Sequence, residues 1–157
     1  MADPHRPFRA SYLISGSPQE RIFAALLDLR QFPEWALGLR RVRVLVDAAS
    51  GVETPEVHPG AALEFTLSAA GLTHRVVGTV TRVESPHRLE WRYAEGATGS
   101  GGWLLEDAGQ DKVRLTLSTD YRIKPAWLDR IAHRPFFRGL VEDLLRRSIH
   151  RFERHLE

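Results

Sequence analysis

The stretch VRLTLSTDYRIKPAWLDRIAHRPFFRGLVEDLLRRSIHRFERHL, residues 113–156, changes its period once, and that change sets the fold class. From Val113 to Tyr121, the apolar residues Val113, Leu115 and Leu117 alternate with Arg114, Thr116 and Ser118. That is the period of a strand with one buried face. Pro125-Ala126-Trp127 then opens a short helix to His133. Beyond it Phe137, Leu140, Val141, Leu144, Leu145, Ile149, Phe152 and Leu156 recur at spacings of three and four, the stripe of an amphipathic helix. Pro is tolerated in a first turn but not mid-helix, so Pro135 ends one helix and starts the next. A helix over 135–156 spans roughly 33 Å at ~1.5 Å per residue, long enough to cross a small domain.

Working back from that helix, the chain is rich in strands. FRASYLIS at 8–15 alternates, with Phe8, Ala10, Tyr12 and Ile14 on one face. SGSPQERIFAALLDL follows, with Ser17 as N-cap, Pro18 at the first helical position and Glu20 in the first turn. A second short helical piece covers 31–37. Strands are expected at 39–46, 61–67, 72–83, 89–93, 103–105 and 113–121, with 47–60 as a loop. Four-residue turns are expected at 68–71 and 84–87, pairing Leu67 with Leu72 and Val80 with Trp91. The Gly-rich GATGSGG at 96–102 reads as a bend that leads into Trp103. Short turns make the later strands antiparallel, because parallel pairing needs long crossovers. The expected fold is α+β: a curved antiparallel sheet of six to seven strands, two short helices after the first strand, and the long C-terminal helix covering one face. Residues 1–7 read as a loose tail and 8–157 as one domain.

Composition bounds the chemistry. The 157 residues contain no Cys, so disulfides and thiolate chemistry are excluded. Net charge is +2 with 20 Asp and Glu against 22 Lys and Arg. The arginine groups at 40–43 and 146–154 are interleaved with acids or lie on solvated faces, so nucleic-acid binding is not expected. No run approaches the ~18 apolar residues of a membrane span, and MADPHRPFR has no apolar leader core; the expected location is the cytoplasm. The seven His residues show no ligand spacing, so no metal and no cofactor are expected. Ser100 has no adjacent base to make it a nucleophile. Glu64 and Glu90 lie out of phase with the apolar faces and are expected to meet water.

Three segments carry a resemblance: SYLISGSPQERIFAALLDLRQFPEW at 11–35, VTRVESPHRLEWRY at 80–93 and GGWLLED at 101–107. In order and spacing they resemble the START-like or SRPBCC superfamily, the polyketide cyclase/dehydrase and lipid-transport proteins, over about residues 8–156. The resemblance implies a helix-grip fold with an elongated cavity between sheet and helix. It also implies a lipid, sterol, quinone, polyketide or hormone ligand, and in a minority of members cyclisation or aromatisation.

The candidate ligand-binding residues are Phe65, His74, Val76, Trp91, Tyr93, Trp103, Leu117, Tyr121, Trp127, Phe137 and Val141. The strand aromatics either fill the core or line a pocket, and the sequence leaves both open. Trp35 is read as a structural anchor and Trp127 as a rim residue. On strand 72–83 one phase turns Leu72, His74, Val76 and Val80 inward and the other turns Arg75 inward; a one-residue slip exchanges them. The His74 phase avoids burying an unpaired guanidinium and is expected. His74 then bonds either a ligand oxygen or a backbone carbonyl. The leading functional reading is noncatalytic binding or transport of an apolar small molecule, with catalysis left open. The alternatives are an aromatase/cyclase-type enzyme and a chaperone-like or ribosome-associated interaction module. Oligomeric state is not legible.

Overall fold

Seven alternating stretches pair into one antiparallel sheet. The computed structural model describes residues 8–69, 71–124, 126–132 and 135–156, without the side chains of residues 69, 131–132, 135–138, 140 and 141. The tail expected at 1–7, and the side chains of Phe137 and Val141, lie outside the described residues. The strands are β1 (Phe8–Ser15), β2 (Leu39–Leu45), β3 (Ala62–Ala69), β4 (Leu72–Glu84), β5 (Arg88–Glu95), β6 (Ala97–Gly109) and β7 (Lys112–Ile123). Their order across the sheet is β1-β7-β6-β5-β4-β3-β2. Strands β2 to β7 form a meander, and β1 closes on β7 through pairs such as Tyr12 with Leu115. The helices are α1 (Gln19–Leu27), α2 (Phe32–Trp35), α3 (Ala126–Ala132) and α4 (Pro135–His155), with a 3-10 turn at Leu29–Gln31. This is a curled, half-barrel sheet gripping a C-terminal helix, an α+β helix-grip fold.

The concave face holds the core. Ile149 and Phe152 of α4 and Leu156 just beyond it pack with Ile14, Leu63, Val80, Leu89, Leu105 and Leu115 from the strands and with Ile22, Phe23 and Leu26 from α1. Trp35 wedges between Phe32 and Phe152, each ring centroid 4.6 Å away, and so anchors α2 to α4 as expected. Leu144, a little earlier on α4, is half-buried. It borders the open space in the interior that Ser148 and Ile149 also line.

Several local expectations need correction. Helix α1 begins at Gln19, and Pro18 is its N-cap rather than its first helical residue, with an extended ψ of 153°. Its carbonyl accepts from Arg21 N and Ile22 N, as a cap carbonyl should. The β3–β4 connection is tighter than four residues: Ala69 pairs with Leu72, so Leu67 faces His74 and not Leu72. Val80 does pair with Trp91. The Gly-rich segment is not a bend before a short strand; β6 runs through it without interruption, Gly101 opposite Trp91 and Gly102 opposite Glu90. Glu64 is on the outer face but is not left to water. Arg75 lies 2.8 Å from one of its oxygens and Arg43 3.7 Å from the other, and the Arg75 hydrogen bond holds its carboxyl below the ordinary carboxylate range against some burial.

Candidate functional site: an apolar cavity in the grip

Between the concave face of the sheet and the middle of α4 lies a cavity of about 400 Å³. That lies within the range of small-molecule sites, ~300–1,000 Å³. The strands build the wall by their alternation. Phe65 on β3, His74 and Val76 on β4, Trp91 and Tyr93 on β5, Trp103 on β6, and Leu117 and Tyr121 on β7 all face it. Cross-strand register brings them together: Phe65 is opposite Val76, and Trp103 opposite Leu117. Phe32, Trp35 and Leu144 face the same space from the helical side. Leu67 and Leu72, both exposed, sit at its rim on the β3–β4 hairpin.

The phase of β4 is the one that turns His74 inward; Arg75 points outward to Glu64 and Glu95. Trp127 is a correction. It is 53% exposed, and the next residue of α3, Leu128, faces the cavity instead, because a one-residue step on a helix turns the side chain by about 100°. Thr119 and Ser148 also face the cavity and were missed. Thr119 shares the face of Leu117 and Tyr121, so its alternation could have revealed it. Ser148 lies four residues after Leu144, on the same helix face.

The polar groups of the wall are few and mostly engaged. The Tyr93 hydroxyl bonds Thr119 Oγ1 at 2.7 Å. Burial pushes the Tyr93 phenol up from its ordinary value, against the opposing pull of that bond, so the phenol stays neutral at physiological pH. His74 Nε2 lies 2.8 Å from the Gly96 carbonyl. Ser148 Oγ donates to Leu144 O at 2.6 Å and accepts from Leu37 N at 2.8 Å, tying α4 to the chain after α2. The Nε1–H groups of Trp35 and Trp91 are buried without a hydrogen-bond partner. Trp91 Nε1 lies near enough to Tyr93 to favour its phenolate weakly, yet makes no hydrogen bond. Each unpaired donor costs about 1–3 kcal/mol of stability. Among the described residues, no three His, Asp or Glu side chains gather as a metal site, and no helix is long and apolar enough to cross a membrane.

A sheet gripping one long helix around an apolar cavity defines the class: a helix-grip protein with a ligand-binding fold. The chain belongs to the polyketide cyclase/dehydrase and lipid-transport family, whose model matches residues 8–157. Solved structures share the fold at low sequence identity. An aromatase/cyclase from a Streptomyces species superposes with a TM-score of 0.72 at 14% identity, covering 96% of this chain and 93% of that one. A START superfamily protein from Mycobacterium smegmatis gives 0.69 at 13%, covering 96% and 99%. A protein from Deinococcus radiodurans gives 0.63 at 23%, covering 97% and 98%. No curated protein matches the chain.

Proposed function

We propose that residues 8–157 form one binding unit that holds a lipophilic small molecule in the cavity between the sheet and α4, without chemical change to it. The observation that carries this reading is the cavity of about 400 Å³, walled chiefly by Leu, Phe and Trp. Burial of apolar ligand surface at roughly 25 cal/mol per Å² supplies the driving force. Phe65, His74, Val76, Trp91, Tyr93, Trp103, Leu117 and Tyr121 are the contact residues proposed.

An aromatase/cyclase role, the activity named for the Streptomyces neighbour, would need several convergent titratable groups. The described wall offers His74, Tyr93 and Tyr121, with Tyr93 engaged by Thr119, which supports binding over catalysis. An interaction module would want an apolar outer face. The outer face instead carries the ion pairs of Arg75 with Glu64 and Glu95, and of Arg82 with Glu84. The test is titration with an environment-sensitive hydrophobic dye, read by dye emission and tryptophan quenching, together with native mass spectrometry of the purified protein. Saturable one-to-one binding is the expected result. Absence of saturable binding for both dye and fatty-acyl probes rejects the reading.

A further inference from the structure

Resting on the binding role above, we propose that the cavity selects a neutral, ring-bearing ligand with a hydroxyl group, and that His74 Nδ1 accepts the hydroxyl's proton as a hydrogen bond. The argument starts at Gly96. Its carbonyl takes a hydrogen bond from Lys124 N at 3.0 Å and faces His74 Nε2 at 2.8 Å. A carbonyl only accepts, so Nε2 carries the proton in this contact. In neutral histidine the other ring nitrogen, Nδ1, is then a lone-pair acceptor. Among the described residues His74 makes no second hydrogen bond, and its ring lies on the cavity wall. The backbone thus fixes the tautomer, and the tautomer fixes what the site asks of a ligand: a donor.

Gly96 also holds the ring's position. Its φ is +77°, and a Cβ there would overlap the Arg75 carbonyl oxygen and lie 3.3 Å from His74 Nε2. Only glycine lets the β5–β6 connection come this close to β4 and set its carbonyl against the imidazole. The opposing requirement comes from the aromatic residues of the wall, Trp91, Trp103, Phe32 and Trp35, which offer ring faces and edges to a flat ligand body. A carboxylate in the same pose would set its lone pairs against the Nδ1 lone pair, with the Tyr93 hydroxyl already engaged by Thr119. It would therefore lose its hydration without gaining a donor from His74.

The experiment displaces a cavity-bound hydrophobic dye with three probes of one shape: naphthalene, 2-naphthol and 2-naphthoate, at a pH where the naphthol is neutral. In the wild-type chain 2-naphthol should bind roughly 2- to 12-fold tighter than naphthalene, the range of one neutral hydrogen bond, and 2-naphthoate should bind most weakly. In His74→Phe the naphthol preference should vanish while naphthalene still displaces the dye. Equal binding of naphthol and naphthalene to the wild type overturns the proposal, and so does naphthoate binding tightest; neither result depends on a variant folding. A preference kept in His74→Phe but lost in Thr119→Val moves the hydroxyl to the Tyr93 pair and also overturns it. Failure of all three probes, and of the dye, strikes instead at the cavity-binding role itself.

Discussion

A methyl group at position 101 has nowhere to go. Built on Gly101, it would lie 2.8 Å from Cε2 and Cζ2 of Trp91 and 2.9 Å from Nε1. Gly101→Ala should therefore drive the indole toward the cavity. The expected cost is about 1–3 kcal/mol, the usual penalty of overpacking, with a loss of dye affinity; urea denaturation and the dye titration check both. This explains why the Gly-rich segment misled the sequence reading. Glycine has no polarity, so alternation is invisible in it, although Gly99, Gly101 and Trp103 are in phase. Glu64 makes a second test on the other face. Its folded pKa is depressed, first by the Arg75 hydrogen bond. A depressed acid contributes stability above its unfolded pKa, about 4.3 for Glu, and loses it as pH falls through the folded value. Glu64→Gln should flatten that part of the acid limb, measured as Tm against pH, and lower stability near neutrality, where the carboxylate's contribution is fully present. The phase of Glu64 was readable; its cover by Arg43 and Arg75 was not, because it depends on β2, β3 and β4 lying side by side.

Among its described residues, helix α4 carries both a side chain that seals the core and one that lines the cavity. Phe152 is fully buried in the core and packs on Trp35, whereas Leu144 faces the cavity. Phe152→Ala should cost about 3–5 kcal/mol. Leu144→Ala should cost no more than the lower end of the ~2–5 kcal/mol range for such truncations, because it enlarges a space that already exists. Chemical denaturation of the two variants checks the order, and equal losses would contradict the division. The helix itself was plain in the spacing from Phe137 to Leu156. The division between Leu144 and Phe152 was not, because both lie on one apolar stripe and what each meets is set by the strands packed against it. The β3–β4 hairpin shows the same limit. Strand phase survived in the sequence, so His74 was turned the right way. The turn length did not, because Ser68 and Ala69 have no property that marks them as turn rather than strand.

At the scale of the whole molecule, a filled cavity and an empty one should differ in stability. A probe at 100 times its dissociation constant adds about 2.7 kcal/mol by mass action. For a chain of this length that corresponds to a Tm rise of roughly 5–10 °C at ~2–4 °C per kcal/mol. Differential scanning fluorimetry across the naphthyl probes should rank them as the displacement assay does. A probe that binds tightly yet leaves Tm unchanged would have to bind the unfolded chain equally well, against the cavity reading.

The pairing of β1 with β7 has a consequence in time. Ser11 meets Thr116 across 105 residues, their hydroxyls 2.9 Å apart. On the ribosome, β1 emerges before the other strands of this sheet and its partner β7 after them. At about 5–20 residues per second, the first strand waits roughly 5–20 s for an edge to join. During that wait Phe8 and Ile14, buried in the finished sheet, have no sheet to enter. Of the seven strands, the one that closes this grip is made earliest, and nascent-chain holdases have their longest opportunity there.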